Sequence, residues 1–72
     1  MNRYVMCITN TDYPIDLTLH KVYKVLSDVD AESHTLIRII DNTGEDYLFP
    51  ATWFVPVELP PEGQDAIDKV PA

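Results

Sequence analysis

No long stretch of this chain shows the 3.6-residue period expected of an amphipathic helix, and that pattern constrains the expected fold most. What the chain offers instead is a series of short β-forming runs, each cut off by turn residues. Arg3 to Thr9 reads Arg-Tyr-Val-Met-Cys-Ile-Thr and predicts a first strand. Asn10-Thr11-Asp12-Tyr13-Pro14 then opens a loop, because Asn, Asp and Pro each favour turn geometry. Leu17-Thr18-Leu19 alternates like a short half-buried strand. Lys21 to Leu26 predicts the second strand, with Tyr23 and Val25 on one face. Ser27 to Ser33 is polar and acidic and reads as a loop. Thr35 to Ile40 predicts the third strand, and Asp41-Asn42-Thr43-Gly44-Glu45 a hairpin turn in which Gly44 can take positive φ. Asp46 to Phe49 returns as the fourth strand. Pro50 ends it, since proline cannot donate to a ladder, and Phe54 to Leu59 is the last strand.

Five short strands in under 60 residues leave few architectures. The expectation is an all-β domain over residues 1–59: a small, partly open barrel with one shared core, which removes most exposed edges. Residues 60–72 carry Pro60, Pro61 and Pro71 among acids and few apolar side chains. They are expected to form a disordered or loosely attached tail, with at most a helical turn over 66–70. At 72 residues the chain is a single domain that buries only roughly 60% of its unfolded surface, so each core side chain matters.

Composition excludes more functions than it supports. Cys7 is the one cysteine, so no internal disulfide can form, and its apolar neighbours read it as a small buried hydrophobe. Cys7, His20 and His34 are too few for a structural zinc site. Asp28, Asp30 and Glu32 lack the glycine and terminal glutamate of a calcium loop. No cofactor or metal is expected. No catalytic constellation is visible either, since paired carboxylates need a cleft deep enough to raise one pKa. The net charge is −7, which opposes both a phosphate backbone and an anionic membrane surface. Lys21 and Lys24 are the only nearby pair of bases. No apolar run approaches the ~20 residues of a membrane span. With no secretory leader at the N-terminus, a cytoplasmic location is expected.

Two stretches resemble the SH3 domain. Asp16-Leu17-Thr18-Leu19 is similar to the segment that opens that family's diverging turn. Tyr47-Leu48-Phe49-Pro50-Ala51-Thr52-Trp53-Phe54-Val55 is similar to the end of its fourth strand, its 3-10 turn and the start of its fifth. Short stand-alone bacterial and phage SH3-like proteins are the nearest kind. The resemblance covers about residues 3 to 58 and implies a five-stranded SH3-like barrel with a 3-10 turn near residues 50–53. It implies that Phe49, Phe54, Leu17, Leu19, Tyr23, Val25, Val5, Cys7, Ile37 and Ile39 point inward. It also places Pro50 and Trp53 at the family's peptide groove. Cys7 to Thr11 and Leu36-Ile37 replace most of the groove's aromatic residues, so the usual proline-peptide mode is not expected.

The function expected is therefore a non-enzymatic module that binds a partner protein through its loops and the Pro50–Trp53 edge. The candidate contact residues are Tyr13, Asp12, Asp16, Leu36, Pro50 and Trp53. Trp and Tyr are enriched in interface hot spots, and the acids would steer a basic partner. The alternatives are an acidic regulator that occupies another protein's nucleic-acid-binding surface and, against the charge, a nucleic-acid-binding barrel. As for assembly, the expectation is a monomer or a weak homodimer.

Overall fold

The computed structural model describes residues 3–69. In chain order the elements are β1 (Arg3–Cys7), β2 (Val22–Leu26), α1 (Val29–Ser33), β3 (Leu36–Ile40), β4 (Asp46–Pro50), a 3-10 turn (Ala51–Trp53), β5 (Phe54–Val57) and α2 (Pro61–Lys69). The five strands form one antiparallel sheet in the order β4-β3-β2-β1-β5. The expected all-β class, its five strands and the 3-10 turn after Pro50 are present. In hydrogen bonding the sheet is open, with β4 and β5 as its two edges.

The register explains the core. Val5 lies opposite Tyr23 on one side and Pro56 on the other, Cys7 opposite Phe54, Val25 opposite Ile39, and Ile37 opposite Phe49. Side chains alternate across a strand, so these pairs share one face. Val5, Cys7, Tyr23, Val25, Ile39, Phe49 and Phe54 are buried there with Leu17, and Ile37 and Trp53 pack against them. Full burial of one such side chain contributes roughly 1.5–3 kcal/mol.

Three segments differ from the sequence-based expectation. Leu17–Leu19 is not a strand, and Leu19, expected in the core, is 46% exposed while Leu17 is fully buried. The chain there turns rather than extends: the Leu17 N–H donates to the Tyr13 carbonyl, the Lys21 N–H donates to the Thr18 carbonyl, and His20 has φ 67°. Residues 17 and 19 therefore do not share a strand face.

The acidic segment expected as a loop contains α1. Asp28 caps it by accepting from the Ala31 N–H at 2.9 Å, and Asp30 and Glu32 sit where the positive end of the helix dipole favours acids. Arg38 then ties the cap to β3, donating to Asp28 at 2.7 Å and to Asp46 at 2.7 Å.

Where a loose tail was expected, α2 forms over Pro61–Lys69 and packs on β2. Pro61 opens it, a position where the missing N–H has no helical partner to lose. Gln64 secures the entry by donating from its side chain to the Leu59 carbonyl at 3.0 Å. Residues 70–72 of the expected tail lie outside the described residues. Among the described residues no helix is long and apolar enough to cross a membrane.

Candidate functional site

The loop between β1 and β2 is shaped by one turn. The Tyr13 N–H donates to the Asn10 carbonyl at 2.9 Å, and Asp12 takes φ 69° at the turn's third position, a conformation that aspartate tolerates better than most residues. This turn aims Tyr13 at the sheet. Its ring meets Phe49 edge-on at 5.4 Å and Trp53 at 5.8 Å.

Trp53 arrives from the other side. Pro50 ends β4 and the 3-10 turn reverses the chain, while the Ile8 N–H donates to the Trp53 carbonyl at 2.8 Å and fixes the turn to β1. The Trp53 ring stacks on Phe49 at 6.2 Å. Tyr47, two residues before Phe49 and so on the same strand face, completes the group at 5.4 Å.

Phe49 is 2% exposed because these three rings cover it, yet the covering rings stay partly in solvent: Tyr13 is 37% exposed, Tyr47 54% and Trp53 half-buried. Ile15, in the same loop, is 82% exposed. The arrangement is a rigid aromatic floor with an amphipathic rim. It can bury apolar and aromatic groups while the tyrosine hydroxyls stay hydrated.

Asn42 locks this loop to the β3–β4 hairpin through its backbone N–H and both ends of its side-chain amide. Its backbone N–H donates to the Asp16 carbonyl at 2.9 Å. Its side-chain amide donates to the Ile15 carbonyl at 3.1 Å and the Thr18 hydroxyl at 3.0 Å. Its side-chain oxygen accepts from the buried Tyr23 hydroxyl at 2.8 Å and from Lys21 at 2.9 Å. Tyr23 in turn accepts from the Thr18 N–H at 2.7 Å. Burial pushes the Tyr23 phenol above its usual pKa, so it stays a neutral donor. On the hairpin side, buried Asp41 accepts from the Thr43 N–H at 2.9 Å and the Thr43 hydroxyl at 2.5 Å, and Gly44 takes the positive φ, 87°, that the turn requires.

Of the six candidate residues, the structure brings Tyr13 and Trp53 into contact, with Pro50 at the start of the turn that carries Trp53. Asp12 is exposed beside Tyr13, and Asp16 is half-buried in the same loop. Neither carboxylate has an ion pair among the described residues. Leu36 pairs with Pro50 in the β3–β4 ladder, but alternation from Ile37 puts it on the face opposite Phe49, away from the rings. Tyr47 joins this ring cluster and is absent from the six candidates. Its signal was the two-residue spacing from Phe49, which puts both on one strand face.

Burial pushes the Cys7 thiol above its usual pKa, and its hydrogen bond to the Thr9 carbonyl at 3.2 Å opposes this only in part. Among the described residues no group of His, Cys, Asp and Glu side chains is placed to hold a metal ion. Comparisons with protein-family models, with curated proteins and with solved structures found no match to this chain.

Proposed function

We propose that this chain is a non-enzymatic protein-interaction module whose contact surface is the Tyr13–Tyr47–Trp53 face together with the Pro50 turn. One observation carries the reading: three partly exposed aromatic rings converge on a single buried phenylalanine. Rigid, amphipathic rings lose little conformational entropy on binding, which is why such residues dominate interface energetics. The SH3-like reading of the sequence supports the same edge, since it places Pro50 and Trp53 at a groove.

The test uses folded variants and a partner captured from the native host's lysate. Trp53→Ala and Tyr47→Ser are both expected to lose the partner, whereas Val29→Ser, at an exposed position on α1, is expected to keep it. If both ring variants fold, as judged by circular dichroism, and still bind, the surface is assigned wrongly.

A second reading has its own support. The loop over 10–19 and the hairpin over 41–47 present Asp12, Asp16, Glu45 and Asp46 at the surface, contain no lysine or arginine, and are stitched together by Asn42. Such a surface suits an acidic regulator that covers a basic site on another protein. This reading predicts affinity that falls steeply as salt rises, and a salt-independent affinity rejects it.

A further inference from the structure

The two sheet edges are treated differently by the sequence. In an antiparallel ladder the directly hydrogen-bonded pairs come at every second position. Along β5, the bond from the Ile8 N–H to the Trp53 carbonyl fixes the phase. Val55 and Val57 therefore face β1, and the backbone groups of Phe54 and Pro56 face outward. Pro56 has no N–H, and the Phe54 N–H is already committed to the Ala51 carbonyl. This edge has no free donor on those residues, which is how natural sheets block unwanted pairing.

β4 is not blocked in this way. The bonds from the Asp41 N–H to the Glu45 carbonyl and from the Ala51 N–H to the Thr35 carbonyl bracket its ladder with β3. The pairs Ile37–Phe49 and Ile39–Tyr47 are then the hydrogen-bonded ones. The backbone groups of Asp46, Leu48 and Pro50 consequently point away from the sheet. They offer two N–H donors and three carbonyls, and none appears in a loop or side-chain hydrogen bond of the described residues.

We propose that β4 pairs antiparallel with β4 of a second copy of this chain, about a two-fold axis at Leu48. In that register Leu48 faces Leu48 of the other copy, and each donates its N–H to the other's carbonyl. Asp46 faces Pro50, so each Asp46 N–H donates to a Pro50 carbonyl. All four edge donors of the two copies are satisfied, and the N–H that Pro50 lacks is missing only opposite the Asp46 carbonyl. The charges fit as well. Each Asp46 faces a proline rather than another acid, and its carboxylate is held by Arg38 of its own chain. In backbone register the exposed Tyr47 lies opposite Phe49 of the other copy as a non-hydrogen-bonded pair, which brings the rings that cover each Phe49 near one another across the seam. The pairing is argued from the backbone groups of β4 and not from the proposed partner surface, although it brings the second copy beside Tyr47 of that surface.

Two chains of net charge −7 repel each other, so pairing is expected to strengthen as salt rises, the opposite sign from binding a basic partner. Sedimentation equilibrium across a concentration series at low and high salt reads the mass. The expected result is a rise towards twice the monomer mass, steeper at high salt. Hydrogen exchange of the wild type reads the edge itself: the Asp46 and Leu48 amides are expected to slow as concentration rises. Leu48→Pro removes an outward N–H without touching the ladder to β3, and Leu48→Lys puts two like charges on the axis. Either variant, folded, is expected to remain monomeric. A chain that stays monomeric throughout the series overturns the proposal. So does a dimer in which the Asp46 and Leu48 amides exchange at the monomer's rate, or one that folded Leu48 variants leave intact.

Discussion

Replacing Asn42 with alanine isolates the contact that holds the aromatic loop to the hairpin. The substitution removes both side-chain donations, to Ile15 and Thr18, and the acceptor shared by Tyr23 and Lys21. The Lys21 bond is exposed and contributes little, because water can take the place of the amide oxygen. The Ile15 carbonyl and Thr18 hydroxyl are near solvent, and water can replace their partner at a net cost of about 0.5–1 kcal/mol each. The Tyr23 hydroxyl is different. Tyr23 is buried, and its proton would be left without an acceptor at a cost of about 1–3 kcal/mol. The sum is about 2–5 kcal/mol, against a total stability of roughly 4–11 kcal/mol for a domain this size.

Urea denaturation of wild type and Asn42→Ala measures the difference, with an unchanged slope confirming that the unfolded state is unaffected. Tyr23→Phe completes a double-mutant cycle, and a coupling of about 1 kcal/mol between the two sites is expected. A loss below about 0.5 kcal/mol, or simple additivity with Tyr23→Phe, would refute the account of Asn42 as the tie between loop and hairpin.

Three further outcomes are expected. Thr35 is a β-branched residue at φ 56°, just after α1, so Thr35→Gly should raise stability by about 1 kcal/mol in the same denaturation assay; a decrease would show that the Thr35 hydroxyl bond to the His34 carbonyl matters more than the strain. The Ala31 N–H, and after it the Arg38 guanidinium, hold the Asp28 carboxyl below the usual range, so its ionised form favours folding: that stability is present above the ordinary aspartate pKa of about 3.9 and is lost as pH falls through the lower folded value. Asp28→Asn should therefore be less stable than wild type at neutral pH and converge with it in acid, and curves that stay parallel from neutral pH into acid would contradict this. Cys7 is buried with a raised pKa, so a thiol reagent should label it only at the rate the fold opens; immediate labelling of native protein would contradict its burial.

The strands were legible because alternation on a half-buried sheet writes its period directly into Val5–Cys7, Tyr23–Val25 and Ile37–Ile39. The core phenylalanines, Phe49 and Phe54, followed from the same pattern. Helix α1 was not legible, because five residues give too little pattern to show a helical period, and Asp28, its cap, looks in sequence like one more acid in a polar loop. Helix α2 was hidden for a similar reason: its proline-rich start reads as a tail until packing on β2 decides otherwise.

At the candidate site, Tyr13 and Trp53 could be named as exposed aromatics, but their meeting over Phe49 depends on a loop that folds back through Asn42. That residue's five hydrogen bonds link it to parts of the chain far away in sequence, and nothing in its local context predicts them. That Leu36 lies on the face opposite the rings was not legible, because the face a strand residue takes depends on register, which a single strand does not reveal.

The measurement that bears most directly on the aromatic surface is an amide and indole NMR footprint of the isotopically labelled chain with its captured partner. The account predicts that the largest shifts fall on Tyr13, Tyr47 and the Trp53 indole N–H, with Ile15 beside them. A footprint centred instead on α1, or on the side of the sheet packed by α2, with the three rings unmoved, would contradict it.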